Sequence, residues 1–532
     1  MTEPLILAID LGTSGPKVAL VTATGRVLGG QTAPTQLHLS EGGGAEQDPE
    51  DWWQAIVSAT ERLHAQRLAD PARVVAVGVT SQWAGTVPVD AQGRALGRAV
   101  IWMDSRGARY IDEIVGGGPR VEGYAAHKLW TWIRRTGGAP SLVGKEPLAH
   151  ILLLRHERPH DYLAAAKLLE PKDYLVQRLT GRAVATFDSI ALHWVTDNRD
   201  IDRIDYDPKL LRLAGLPREK LPELCRATDV VGTLVPAAAR ALGLSEQVLV
   251  VGGTPDVQSA AIGSGAVRDF QAHVYLGTSS WLTCHVPFKK TDLWSNMASL
   301  PSALPGRYFV ANEQETAGAC LTWLRDNLLH PDDALGSEPA PEDFMARLDQ
   351  AAATSAPGSG GVLFTPWLYG ERCPIADHAV RAAFLGLSLT TTRADMLRAV
   401  LEGVALNSRW LLLALERFVK RRLDPIRIIG GGARSALWCQ IYADVLGREI
   451  EQVEDALQCN ARGAALLASL GLGLVKVDEI PSHVSVSARF TPRAEHGPMY
   501  ERRFDEYRTL YRNTKTMYAR RYEDEEARRK TR

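Results

Sequence analysis

Short apolar runs alternate with amphipathic stretches along the first hundred residues of this chain. Residues 5–9 are apolar, and residues 18–22 are apolar except for Thr22, which predicts two buried strands. Residues 49–69 instead have the spacing of a helix, with Asp48 as its predicted N-cap. Two further runs, at 74–79 and 99–102, predict strands after this helix. Strands that alternate with helices indicate an α/β sandwich.

The phrase Leu-Gly-Thr-Ser occurs twice, at residues 11–14 and 276–279, and each copy follows an apolar run. A tight turn of this composition places backbone N–H groups and hydroxyls at one point, where a phosphate oxygen can bind. The copies lie about half a chain length apart. Two related domains that hold one polyphosphate between them are therefore one interpretation, and two ordinary strand ends are the other.

The repeat also predicts the domain organisation. We expect a first domain at residues 1–265, a second at 266–495 and a helical tail at 496–532. Residues 331–361 are rich in proline, alanine and glycine, which predicts a partly irregular surface excursion. Residues 392–418 predict a long amphipathic helix. In the tail, four aromatic residues at helical spacing predict a docking face; they are Tyr500, Phe504, Tyr507 and Tyr511.

Composition and charge exclude several classes of partner. The formal net charge is −1, which gives no reason to expect a nucleic-acid partner. The apolar run at the N-terminus is too short for a signal peptide, and no stretch approaches the roughly 20 apolar residues of a membrane span. The six cysteines include no CxxC pair, which argues against a zinc site or a disulfide framework. We expect a cytoplasmic protein.

Two aspartates follow predicted strands at positions suited to phosphate chemistry. Asp10 precedes the first Gly-Thr-Ser turn, where a carboxylate suits Mg²⁺, and Lys17 offers a charge for a terminal phosphate. The alternative for Asp10 is a solvent-facing residue at a strand end. Asp256 follows the run 248–251 and is either a helix N-cap or a general base for a substrate hydroxyl.

Two further clusters have candidate binding chemistry. Residues 430–435, Gly-Gly-Gly-Ala-Arg-Ser, follow a predicted strand and open a helix, so that a flat ring or a phosphate can approach the backbone. Gln82, Trp83 and Trp102 also follow predicted strands, and together they make a plausible polyol pocket. Ordinary aromatic packing is the alternative for the tryptophans.

Taken in order, these segments form a pattern that covers nearly the whole chain. They are Asp10-Leu11-Gly12-Thr13-Ser14-Gly15, Glu46-Gln47-Asp48-Pro49, Trp102-x-Asp104-x-Arg106, Pro171-Lys172-Asp173-Tyr174-Leu175, Gly253 to Asp256, Leu276-Gly277-Thr278-Ser279, Gly370-Glu371-Arg372-x-Pro374, Ala382 to Glu402, and Gly430-Gly431-Gly432-Ala433-Arg434-Ser435. The pattern resembles the FGGY family of carbohydrate kinases, most closely its xylulokinase branch.

The resemblance implies two ribonuclease H-like domains of the actin and hexokinase type, which close over ATP and a sugar. It implies Asp256 as general base, Asp10 at Mg²⁺, and Gln82, Trp83 and Trp102 on the sugar side. The remaining residues would bind ATP and its phosphates; they are Thr13, Ser14, Lys17, Gly277, Thr278, Ser279, Gly431, Gly432 and Ser435. A homodimer is a further expectation, since dimers are common in this family.

The chain departs from the family pattern in segments that the resemblance places near the sugar. Trp83-Ala84 stands where xylulokinases usually carry Met-His and glycerol kinases Arg-Glu, and residues 312–318 are unusually rich in carboxylates. The resemblance implies a ketopentose such as D-xylulose as the substrate. Because the chain departs from the family pattern on the sugar side, ribulose, glycerol, a tetritol or a deoxy sugar are alternatives. A non-catalytic ATP-binding regulator or an actin-like assembly protein is the alternative from another class.

Overall fold

The computed structural model describes the backbone of residues 3–530 and the side chains of residues 3–524. The last two residues of the predicted tail, 531–532, lie outside the described residues. Within the described part, no helix is long and apolar enough to cross a membrane.

The first half is built on a seven-stranded mixed sheet. Its central strand, Val74–Ser81, pairs in parallel with Leu5–Gly12, which turns back antiparallel into Gly15–Thr22. In spatial order the strands are Val230–Thr233, Leu249–Val251, Val74–Ser81, Leu5–Gly12, Gly15–Thr22 and Val27–Thr32, and Thr254–Pro255 also pairs with Val74–Ser81. The first Leu-Gly-Thr-Ser phrase is the hairpin turn of this sheet.

The second half repeats this arrangement in a five-stranded sheet. Ala272–Leu276 forms an antiparallel hairpin with Ser280–Thr283 and pairs in parallel with Ile426–Ile429. The spatial order is Ser280–Thr283, Ala272–Leu276, Ile426–Ile429, Ile450–Val453 and Val486–Phe490. Because the second copy of the phrase is again the turn of the first hairpin, the internal duplication is present in the topology as well as in the sequence.

Smaller sheets surround the two large ones. In the first half their strands are His38–Ser40, Gly44–Gln47, Val87–Val89, Ala99–Val100, Arg120–Val121, Tyr124–Ala125, Lys167–Leu169, Val184–Thr186, Thr196–Asp197, Asp205–Tyr206 and Glu223–Cys225. In the second half they are His285–Val286, Thr291–Asp292, Met297–Pro301, Tyr308–Ala311, Leu363–Thr365 and Ala383–Leu385.

Helices alternate with these strands along the chain. In the first half they are Pro49–Ala65, Asp112–Val115, Ala126–Thr136, Pro147–Glu157, Pro159–Ala164, Pro171–Thr180, Pro208–Ala214, Pro236–Leu242 and Asp256–Gly263. In the second half they are Ala319–Leu324, Phe344–Ala353, Arg393–Val419, Ala436–Leu446, Cys459–Gly471, Ile480–His483 and Gly497–Lys530.

Several predicted boundaries shift by a few residues. The first helix begins as predicted, with Asp48 accepting from the N–H of Glu50, but it ends at Ala65 because Arg67 adopts a left-handed conformation at φ 52°. The predicted strand at 99–102 ends at Val100, and a turn follows at residues 102–103. The excursion at 331–361 contains one regular helix, Phe344–Ala353.

The aromatic residues of the final helix form a docking face against the second half. Tyr507 lies 5.3 Å from Trp367 between ring centroids, and its hydroxyl donates to Asn407 Oδ1 at 3.0 Å. The Tyr500 hydroxyl donates to Glu402 Oε1 at 2.8 Å. Tyr500 and Tyr507 are both fully buried. The tail therefore continues the core of the second half.

Two helices cross where the halves meet, and we call Asp256–Gly263 and Cys459–Gly471 the crossing helices. A Cβ on Gly263 would lie 1.8 Å from the Cys459 carbonyl oxygen, and one on Gly463 would lie 1.9 Å from that of Ser259. The second crossing helix also packs on the first sheet through four alanines, which are Ala461, Ala464, Ala465 and Ala468. This close crossing requires glycine at both positions.

We predict that Gly463→Ala lowers the free energy of unfolding by about 1–3 kcal/mol, because the added methyl group forces the crossing helices apart. Denaturant unfolding checks this. Gly497→Ala is the matched control, since a Cβ there has no neighbour within 4 Å. An equal effect of both substitutions would contradict the role of the crossing.

Candidate active site between the two halves

The pairing of three strands brings Asp10 and Asp256 to one edge of the first sheet. Asp10 and Thr254 both align with Thr80 of the central strand, from its two sides. Asp256 comes two residues after Thr254 and is the first residue of its helix, with Pro255 at the N-cap position. The N-cap alternative for Asp256 is therefore wrong. Its side chain accepts a hydrogen bond from the N–H of Val257 at 2.8 Å.

The two carboxylates share a buried and unfavourable electrostatic environment. Burial is the largest cause that raises the pKa of Asp10, while the Lys17 ammonium and a hydrogen bond from Asn460 oppose the shift. The pKa of Asp256 rises to about 8, first because of burial and then because of the Asp10 charge; the Glu313 charge adds to it. Raised carboxyl pKa values of this kind are typical of a general base or a cation site.

Two of the three predicted sugar-side residues, Trp102 and Gln82, meet at Thr13. The indole N–H of Trp102 donates to Thr13 Oγ1 at 2.9 Å, and Thr13 Oγ1 donates to Gln82 Oε1 at 3.1 Å. Gln47 completes the network, because its amide donates to the Thr13 carbonyl at 2.8 Å and accepts from Gln82 Nε2 at 2.8 Å. The hydrogen bonds hold the first turn and the candidate pocket in one rigid unit. Gln47 lies in the Glu46-Gln47-Asp48-Pro49 run of the family resemblance, but no role was predicted for it.

Trp83 stands apart from that network. Its indole N–H donates to the Ser189 carbonyl at 2.9 Å, and the ring is half-buried. The neighbouring Ala84 is buried and left-handed, at φ 63°. Because the polar atom of Trp83 is used inside the protein, the ring can offer a substrate only its apolar surface.

Lys17 and Ser14 differ in what they face. Lys17 lies opposite Asp10 in the hairpin, and its ammonium donates to the Leu457 carbonyl of the second half at 2.6 Å. In this structure the lysine therefore links the two halves. Ser14 is exposed at the tip of the first turn.

In the second half, the turn and the glycine loop lie against each other. A Cβ on Gly430 would lie 2.6 Å from the Leu276 carbonyl oxygen, and one on Gly432 would lie 2.5 Å from Leu276 Cγ. Gly277 and Thr278 turn their carbonyls inward, where each accepts backbone hydrogen bonds from residues 317–319. The Thr278 side chain is exposed, and Ser279 is partly exposed.

The open surface of this loop is at Gly431, where a Cβ would meet nothing within 4 Å. Ser435 instead caps the following helix, since its hydroxyl accepts from the Trp438 N–H at 3.0 Å. A flat ring or a phosphate can approach Gly431 without a steric barrier, so this face fits a nucleotide.

The carboxylate edge supplies part of what Mg²⁺ requires. Among the described residues, no group of three or more histidines, cysteines or acidic residues could hold a metal ion. Asp10 and Asp256 nevertheless supply the hard oxygen donors that Mg²⁺ prefers, and this ion usually keeps several waters and binds through one or two carboxylates. The residues present fit a magnesium ion that is completed by water and phosphate oxygens.

Comparison with known proteins gives consistent matches over both halves. Residues 5–263 match the N-terminal domain of the FGGY family of carbohydrate kinases, and residues 272–472 match its C-terminal domain. The xylulose kinase of Escherichia coli strain K12 is 30% identical over 95% of this chain and 98% of the relative. That of Staphylococcus epidermidis is 29% identical over 98% and 99%, and the gluconokinase of Bacillus subtilis is 27% identical over 95% and 94%.

Solved structures agree on the fold. The gluconate kinase of Lactobacillus acidophilus superposes with a TM-score of 0.84 at 23% identity, covering 98% of this chain and all of that one. The xylulose kinase of Rhodospirillum rubrum gives 0.82 at 25% identity, covering 97% of this chain and all of that one. With both domain matches in order along the sequence, this chain belongs to the FGGY family of carbohydrate kinases.

Proposed function

We propose that this carbohydrate kinase transfers the γ-phosphoryl group of ATP to a hydroxyl of a ketopentose or a related polyol, with D-xylulose as the first candidate. The observation that carries the proposal is Asp256. Its carboxyl group lies beside Asp10 at the carboxyl edge of the first sheet, and its pKa is raised to about 8. Xylulose kinases among the relatives support D-xylulose.

In the proposed reaction Asp256 accepts the proton of the acceptor hydroxyl. The oxygen then forms a bond to the γ-phosphorus, while the bond between that phosphorus and the bridging oxygen of ATP breaks, leaving ADP. Positioning and charge neutralisation supply most of the rate, and closure of the domains excludes water. Mg²⁺, when bound near Asp10, would neutralise the phosphate charge.

The other predicted residues have proposed roles around this step. Thr13 and Ser14 would lie near the transferring phosphate, with Lys17 available to it once the bond to Leu457 is released. Thr278 and Ser279, after Gly277, would hold ATP phosphates from the second half. Gly431 and Gly432 would border the adenosine, with Ser435 fixing the helix that follows.

The acceptor would lie against Gln82, Trp83 and Trp102. Trp83 presents an apolar face where related kinases have polar residues, and this difference would change which sugar is accepted. Ribulose, glycerol, a tetritol and a deoxy sugar are therefore alternatives to D-xylulose. A non-catalytic regulator is disfavoured because Asp256 is retained.

We also propose the domain boundaries 1–265, 266–495 and 496–532, and we propose that the protein is a homodimer. A cytoplasmic location is proposed as well, and the six free cysteines fit it.

We predict that at least one neutral ketose or polyol stimulates ADP release from Mg-ATP. The assay uses a panel that contains xylulose, ribulose, glycerol, tetritols and deoxy sugars. If ATP binds but no member of the panel increases its turnover, the kinase proposal fails for these acceptors.

Asp256→Asn should lower kcat by about 10²–10⁴-fold, because the amide cannot accept the hydroxyl proton. Binding of ATP, measured by calorimetry, should stay unchanged, since the adenosine and most of the phosphates contact other residues. Asp505→Asn, at an exposed position of the final helix, is the control. Retention of wild-type turnover by Asp256→Asn would rule out the proposed base.

Asp256→Asn should also change the dependence of stability on pH. The folded protein holds the Asp256 proton up to about pH 8, whereas the unfolded chain releases it near 3.8, so wild-type stability falls as the pH rises between these values. The variant lacks this loss. Its Tm, measured without nucleotide and with a chelator, should exceed that of the wild type by a margin that grows from pH 4 to 8; a constant margin would contradict the assigned pKa.

A further inference from the structure

Lys172 is a fully buried cation that uses its whole hydrogen-bonding capacity inside the first half. It belongs to the Pro171–Leu175 segment, which has no role in the proposed reaction. Its ammonium pairs with the Asp173 carboxylate, donates to Thr186 Oγ1 at 3.1 Å and donates to the Gly252 carbonyl at 2.9 Å. An ammonium has three N–H groups, and these three acceptors use all of them. Lys172 therefore has no donor left for a substrate.

Thr254 is bonded to a second buried carboxylate. Its hydroxyl donates to Asp188 Oδ2 at 2.5 Å, and both residues are fully buried. Asp188 belongs to a turn that closes on itself, because the Thr186 N–H donates to Ser189 Oγ at 3.0 Å. The Ser189 hydroxyl in turn donates to Asp173 Oδ2 at 2.9 Å. These residues form one connected group, which we call the lysine cluster: Lys172, Asp173, Thr186, Asp188, Ser189 and Thr254.

The lysine cluster contacts the loop that leads into Asp256 at two points, the Gly252 carbonyl and the Thr254 hydroxyl. Between these points Gly253 is left-handed at φ 76°, and a Cβ there would lie 2.3 Å from a carbonyl oxygen of the central strand. The Asp256 carboxylate accepts from a backbone N–H in the first turn of its own helix. Its direction therefore follows the direction in which the loop delivers that turn.

The lysine cluster also contacts the acceptor side of the candidate site. The Trp83 indole N–H donates to the carbonyl of Ser189, whose hydroxyl is bonded to Asp173. A buried ion pair is by itself weak evidence for stability, because removing two charges from water costs free energy. The contacts of this cluster converge instead on the loop before the proposed base and on Trp83, which indicates that it provides position.

We infer that the lysine cluster positions the general base, and that Thr254 is a positioning residue that fixes the first turn of the first crossing helix through its bond to Asp188. The inference rests on the proposed kinase function and gives fully buried residues a role in it. Misplacing a reacting group by about 1 Å can cost about 10²-fold in rate. Loss of the Thr254 hydroxyl should therefore slow the transfer step more than it weakens binding.

The test measures the single-turnover rate of ADP formation with the best acceptor of the panel, normalised to the fraction of enzyme that binds ATP. Thr254→Val has nearly the same shape but lacks the hydroxyl, and it should lower this rate about tenfold or more. The acceptor concentration for half-maximal rate and the Kd for ATP should stay within about twofold, because Asp173 still holds the turn that contacts Trp83. Thr254→Ala removes the same bond and should lose rate to a similar extent.

Thr254→Ser restores the hydroxyl and should recover the rate to within about threefold of wild type. Thr60→Val is the matched control. Thr60 is also fully buried, and its hydroxyl donates to the Ile56 carbonyl at 2.8 Å within the first helix of the chain. The normalised rate of this control should equal that of wild type.

Two results would overturn the assignment of Thr254 while leaving the kinase intact. One is a wild-type rate in Thr254→Val or Thr254→Ala, and the other is a Thr254→Ser rate as low as theirs. An equal loss of rate in Thr60→Val would also overturn it, since the effect would then follow from the loss of any buried hydroxyl. Absence of turnover by the wild type with every acceptor would instead refute the proposed function itself.

Discussion

The arrangement of this enzyme depends on the contact between the crossing helices. Gly263 and Gly463 let the two backbones approach so closely that any side chain would collide with a carbonyl oxygen. Asp256 is the first residue of one of these helices, and the other packs on the strand that carries Asp10. This packing contact therefore bears on both the separation of the halves and the placement of Asp10 and Asp256.

Acidic side chains are concentrated around the candidate active site. The first half contributes two buried carboxylates with raised pKa values, and the second contributes an acidic pair that is bonded to Arg372. Burying these acidic groups costs free energy, as is common at functional sites. The packed core supplies the stability that offsets this cost.

Much of this could be predicted from local sequence. The fold class and the family were predicted correctly, because hairpin turns, glycine loops and strand ends are local features that recur in order. The bonds from Lys17 to Leu457 and from Gln47 to Gln82 could not be predicted, since they join distant residues through the packing of whole elements. The sequence shows that residues 312–318 are rich in carboxylates, but the pairing of Glu313 and Glu315 with Arg372 is visible only in three dimensions.

The second crossing helix has a consequence for synthesis of the chain. Its alanines cover apolar residues of the first sheet, among them Ile6, Ala8 and Val251. These strands are synthesised first, and residues 459–471 follow the last of them by more than 200 residues. The first half therefore cannot complete its core as it emerges, and one apolar face of its sheet stays open until the second crossing helix has been synthesised.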